Sequence, residues 1–213
     1  MIRVYKHCVV PKSLAENSSI GEDVIRQLRD DQYGKCYLCE RALITDFEVE
    51  HHHSRANHSE LAFEWSNLLW SCTYCNGKKS SLFDNILNPV NENIEEIIHQ
   101  SFDFPNAKVL FSSKYISSES VDETIELLNR IFNGSKRIRT EREQRFYNYA
   151  MSKITSFQEM VISWLENKNE ENTKAIIEEL DARAEFLGFK YWIIKSNEAL
   201  LNKFGHYIKW NKD

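Results

Sequence analysis

"CYLCERALITDFEVEHHHSRANHSELAFEWSNLLWSCTYCNGKK", residues 36 to 79, is the stretch on which the reading of this chain turns. It begins and nearly ends on Cys-x-x-Cys pairs, Cys36/Cys39 and Cys72/Cys75, with 32 residues between the pairs. Two such knuckles can close a tetrahedral thiolate site around Zn²⁺, a staple suited to a compartment in which disulfides are reduced. Redox-active or merely buried cysteines are the alternative, but thioredoxin-like chemistry needs one pair in a different context. Four thiolates complete the coordination of zinc, which leaves His51, His52 and His53 for other work. A second ion would call for harder ligands, a carboxylate and an amide carbonyl with water, and so for Mg²⁺ or Mn²⁺. Cys8 stands apart and reads as a small core residue.

Working outward, 213 residues can bury one sizeable core or one compact domain with an extension. No stretch approaches the roughly 20 apolar residues needed to cross a bilayer, and Lys6, His7 and Pro11 interrupt the N-terminal apolar run, so a cytoplasmic protein is expected. The net charge of −5 argues against a general nucleic-acid coat, so a DNA contact must be local or supplied by a partner. The sign reverses in "GSKRIRTEREQR", residues 134 to 145, which reads as a solvated helix face, as a local DNA rail or as a complementary patch for an acidic partner surface.

The pattern predicts a short helix over "GEDVIRQLRDDQYG", stopped at Gly34, and a hairpin within residues 36 to 53 that turns at Thr45-Asp46. A loop then runs into a buried segment around Trp65 and Trp70, both read as core in preference to base-stacking platforms. Beyond a soft boundary near Asn88-Pro89, helical patterns dominate. Ile94, Ile97 and Ile98 share a face, Ser120 and Glu123 have capping-box spacing, and a helix is expected to stop at Gly188. One or two strands fit "AKVLFSSKYIS". The expected division is residues 1–88, a lead plus the cysteine-bounded motif at 36–81, and a helical region at 89–213 whose apolar faces suit docking on a protein partner.

The ordered set Cys-x-x-Cys, Glu50-His51, Asn67-Leu68, Cys-x-x-Cys, Asn76 and Lys79 resembles the HNH endonucleases. What the resemblance implies is an α+β fold, with a zinc-stapled ββα-metal core of the His-Me finger type and a mostly α-helical C-terminal region. It implies that Glu50 and Asn76 hold a catalytic Mg²⁺ or Mn²⁺, that His51 is the general base, and that Asn67 holds the loop and orients that base. His52 is the alternative base, since a one-residue slip at the strand end exchanges the two, and His53 is a third. Lys78, Lys79 and Arg55 are the candidate nucleic-acid contacts; Lys79 could instead hold the helix start. Ser54 departs from the family, in which a proline often stands at this position. The wording "EHHHSR…WSNLLWSCTYCNGKKS" with a helical region of this size is similar to the HNH subunit of Septu antiphage defence systems, which implies an ABC/SMC-like ATPase partner.

The chemistry suits these residues: a neutral imidazole can take a proton from water at neutral pH, and a hard cation can carry charge on the phosphate and the departing oxygen. The expected activity is therefore hydrolysis of DNA phosphodiester bonds. Two alternatives stay open. One is a catalytically inert zinc-stapled interaction module, and the other an HNH nuclease acting on RNA.

Overall fold

A computed structural model describes residues 1–42, 45–113 and 116–210 of the chain. The predicted first helix forms as α2, Glu22–Asp31, after a single-turn-and-a-half α1, Lys12–Asn17. Val24 and Leu28, four apart, bury one face of α2, Glu22 and Asp23 sit in its first turn, and Gly34 takes a left-handed φ of 67° just beyond its end. This face packs with Leu14, Trp65, Leu68 and Trp70 in a small apolar cluster, so both tryptophans are core, as expected.

The hairpin is not where the sequence placed it. Residues 36–39 form the turn of the first cysteine knuckle, closed by a single bridge from Lys35 to Ala42; Leu43 and Ile44 lie outside the described residues. The strand β1, Glu48–His51, instead pairs antiparallel with β2, Leu68–Ser71, in the register Glu48 to Ser71 and His51 to Leu68. Sequence periodicity sees neighbours along the chain, whereas burial of all four β2 residues draws β1 across a long loop. The helix α3, Thr73–Lys79, follows β2 directly and packs against β1; its N-cap is Cys72, whose sulfur accepts from the Cys75 N–H.

After one turn of helix, α4 at Ile94–Ile97, the expected longer helix gives way to β3, His99–Asp103, which pairs antiparallel with β4, Lys108–Ser112. The next helix, α5 at Glu119–Asn133, is capped by Ser118 and not by a Ser120–Glu123 box; Glu123 accepts from the Asn85 N–H instead. A capping box that the sequence reading missed, Thr140 with Glu143, starts the 26-residue α6, Glu141–Glu166. There follow α7, Glu170–Glu179, α8, Leu187–Lys195, and α9, Glu198–Phe204. Gly188 does not end a helix; it lies in the first turn of α8, donates its N–H to Glu40, and a Cβ there would stand 2.2 Å from the Gln100 amide. Glycine is required by this close approach.

The largest apolar core joins the four knuckle cysteines, Leu69 and Tyr74 to Phe83, Leu128 and Phe132 of α5, Phe146 of α6, and Phe186 and Phe189. The boundary expected near Asn88-Pro89 therefore runs through a shared core. A second cluster holds the far end of α6 against α7, α8 and α9 through Phe157, Trp164, Ile176 and Phe204. Among the described residues, no helix is long and apolar enough to cross a membrane.

Candidate metal centre and adjoining polar site

Cys36, Cys39, Cys72 and Cys75 are completely buried, and their sulfurs all lie within 4.8 Å of one another. The two knuckles reach each other because Cys72 follows β2 while Cys36 is tied to the same strand, the Tyr37 N–H donating to the Trp70 carbonyl at 3.0 Å. Burial, which raises the Cys36 thiol, is outweighed by hydrogen bonds from the other three cysteines, while burial and the hydrogen bonds with Cys36 and Cys72 hold Cys39 high against the lowering by Cys75. Four soft sulfur donors in a dry cluster are the donor set of a structural Zn²⁺ site, and the residues fit that ion. Cys8 is not a core residue; it is exposed in the N-terminal lead.

At the end of β1 the His52 N–H still donates to the Asn67 carbonyl, and the three histidine rings find different partners, with those of His52 and His53 meeting edge to face at 4.8 Å. His51 is mostly buried and its Nε2 lies 2.9 Å from the Ala62 carbonyl. A carbonyl only accepts, so Nε2 carries the proton, and Nδ1 is the nitrogen with a lone pair to offer. Burial, with Arg55 and Lys79 adding to it, holds the His51 pKa below its ordinary value against the opposing Ala62 hydrogen bond. The ring is therefore neutral at neutral pH. His52 turns inward, 2% exposed, with Nε2 at 3.4 Å from the Leu87 carbonyl and Nδ1 buried without a partner; burial pushes its pKa down to about 4. His53 is tied through Nδ1 to the Asp84 carbonyl at 2.9 Å.

Asn67 clamps the loop between the strands from inside. Its Oδ1 accepts from the His53 N–H at 2.7 Å, and its Nδ2 donates to the carbonyls of His53 and Leu61. Asp84, a residue without a motif signal, secures the same loop from the other side. It accepts from Ser54 N–H at 2.8 Å, Ser54 Oγ at 2.9 Å and Asn57 Nδ2 at 2.5 Å. A proline at position 54 has no N–H to give, so the departure at Ser54 is matched by this acceptor.

Glu50 and Asn76 do not form a shared ligand pair in the described arrangement. Glu48 and Glu50 stand two apart on β1, facing α3. The Asn76 amide donates to Glu48, while Glu50 is bound by Lys79 Nζ at 2.9 Å and by the Tyr37 hydroxyl at 2.8 Å. Burial lifts the Glu50 pKa to about 7, against the lowering by Lys79 and Tyr37. With an ammonium on one expected ligand and a neighbouring carboxylate on the other, these side chains as arranged do not fit a Mg²⁺ or Mn²⁺ ion. Among the described residues no second group of three or more His, Cys, Asp or Glu converges as the cysteines do.

The three candidate nucleic-acid contacts differ sharply. Lys79 is completely buried and also donates to the His51 carbonyl at 3.0 Å, so its placement as a phosphate contact is corrected: it holds α3 to β1. Lys78 is engaged by Ser135 and Glu143, and Arg55 is exposed close enough to act on His51. Tyr37 carries no motif signal beyond its place inside a knuckle, yet it joins the cysteine cluster to Glu50. His58 is partly exposed, with Nδ1 at 3.4 Å from Glu60. Compared with known proteins, the chain matches no family model and no curated relative.

Proposed function

We propose that the chain is an HNH-type endonuclease hydrolysing DNA phosphodiester bonds, the nuclease effector of an antiphage defence complex. The observation that carries the reading is the presentation of His51. The ring stands at the end of β1, is fixed through Nε2 by a backbone carbonyl, and borders a loop that Asn67 holds at His53 and Leu61. In the proposed step His51 Nδ1 takes a proton from water, the water oxygen bonds to phosphorus as the P–O3′ bond breaks, and the departing 3′ oxygen takes a proton from solvent water and leaves as the alcohol. General-base catalysis of this kind is worth roughly 10²- to 10⁴-fold. Arg55 supplies an exposed positive charge beside the base. The cysteine cluster and the Lys79–Glu50 pair keep β1, β2 and α3 in register around it.

The ββα order of β1, β2 and α3 supports the reading, and the proposal that an ABC/SMC-like ATPase is the partner rests on the resemblance alone. The test is plasmid cleavage by the zinc-loaded chain, with and without added Mg²⁺ or Mn²⁺ and with and without such an ATPase. His51→Ala should abolish cleavage with zinc content and melting temperature retained. Cleavage that survives His51→Ala and stops with His52→Ala would overturn the assignment of the base, and cleavage of RNA but not DNA would overturn the substrate.

A specific observation favours a second reading. Glu50 and Asn76 are both engaged by neighbouring side chains, which is what an inert zinc-stapled interaction module would show. Absence of cleavage under every condition, with the fold and the zinc intact, selects that reading.

A further inference from the structure

We propose that the cleft formed by the β3–β4 turn, the end of α5 and residues 134–140 binds the phosphodiester backbone of nucleic acid. The cavity has a volume of about 920 Å³, and four cations line it, Lys108, Lys136, Arg137 and Arg139, with no carboxylate among the lining residues. Asn129 and Gln144 add side-chain amides to the same walls. The nuclease reading supplies the identity of the polyanion; the cleft itself stands on its geometry and charge.

Arg139 builds the cleft. Its guanidinium lies over the Tyr147 ring at 3.7 Å from the centroid and donates to the Ala107 carbonyl at 2.7 Å, which ties the 134–140 loop to the β3–β4 turn. Lys108, Lys136 and Arg137 do something different. They are exposed, and among the described residues no ion pair reaches any of them. Asp103, opposite Lys108 in the strand register, spends its carboxylate on Asn106. Some exposed cations elsewhere have acids one turn away, as in Lys12–Glu16, Arg145–Glu141 and Lys174–Glu178, and others, such as Arg26, Lys168 and Lys203, stand singly without an ion pair among the described residues; the cleft differs in gathering three such cations into one concavity. Unpaired like charges collected in a concavity repel one another and focus their field on an external anion.

The cavity offers far more room than one phosphate group needs, and its cations come from two separate elements, β4 and the loop, as a backbone contact requires. It is also tied to the candidate site. Lys78, on the helix that carries Asn76 against β1, donates to Ser135 Oγ at 2.8 Å. The loop that lines the cleft is therefore joined to α3.

The experiment uses the zinc-loaded full chain, without other divalent ions, and fluorescein-labelled DNA, duplex and single-stranded, read by anisotropy over a salt series. Lys136→Glu/Arg137→Glu should weaken binding at low salt roughly tenfold or more and reduce the slope of log K against log[salt] by about 2. Lys108→Glu should act in the same direction from another element. The control, Lys12→Glu/Lys174→Glu, makes the same change in net charge on other surfaces and should shift binding by no more than about twofold. Zinc content and melting temperature confirm that each variant is folded. Unchanged affinity and slope in the cleft variants, an equal loss in the control, or wild-type binding to poly-glutamate and to neither DNA would overturn the proposal. Binding is read without cleavage, so an inactive protein whose cleft variants lose DNA would refute the nuclease reading and leave the cleft standing.

Discussion

The region around β1, β2 and α3 and the region around α6 to α9 are held together by different physics. In the first, the strands have four residues each and the helix seven, too few for secondary structure to persist by itself. It is cross-braced by a four-cysteine cluster, an amide clamp at Asn67, a carboxylate clamp at Asp84 and a buried Lys79–Glu50 pair. In the second, 26 residues of α6 give a long apolar face, and Phe157, Trp164, Ile176 and Phe204 close it with aromatic and aliphatic packing. Packing forgives small displacements, whereas polar clamps hold individual groups in place. The contrast teaches that the region with the candidate chemistry depends on orientation and the other on buried area.

The largest effect should come from the staple. A structural zinc site contributes on the order of 10 kcal/mol to folding, so Cys72→Ser should lose zinc and with it hydrogen-exchange protection over residues 36–84. If α6 to α9 retain protection in that variant, the two regions separate as the contrast predicts; equal loss in both breaks it. The converse variant is Trp164→Ala, which removes a ring 5.0 Å from Phe204 and should cost about 3–5 kcal/mol in denaturant unfolding. Its zinc content in the folded state should not change.

Next comes the buried pair. Above pH 7, where Glu50 is ionised, Glu50→Gln leaves the buried Lys79 ammonium with only the more distant Asp84 carboxylate at 3.9 Å and should destabilise by about 3 kcal/mol, most of which Glu50→Gln/Lys79→Gln should recover. A double variant as unstable as the sum of the single ones would show that the two act apart.

The smallest effect is a pH dependence at the seam between the regions, where Lys78 of α3 meets Glu143 of α6. Burial raises the Glu143 pKa but is outweighed by Lys78, Thr140 and Ser135, which bring it from 4.5 down to about 2. A depressed carboxylate contributes stability above its unfolded value and loses it as pH falls through the folded one. Wild type should therefore lose stability relative to Glu143→Gln between about pH 4.5 and 2, as read from melts across that range. Glu50 has the opposite sign: raised to about 7, its contribution is present below pH 4.5 and lost as pH rises through 7.

Features written at short and regular spacing were legible along the chain. Two Cys-x-x-Cys knuckles lie in one buried cluster, α2 stops near Gly34, Trp65 and Trp70 are core, and the C-terminal region is mostly helical. Each depends on residues a few positions apart or on a side chain that water rejects. Tertiary structure decided which groups meet across the chain. It paired β1 with β2 and replaced the expected local hairpin, because the wholly buried β2 needs a partner for its backbone groups. It moved Gly188 from a helix end to a close contact with Glu40 and Gln100, and exposed Cys8. It gave Glu50 to Lys79 and Asn76 to Glu48, because a buried charge binds the nearest group able to compensate it, and only the packing of α3 on β1 sets which group that is.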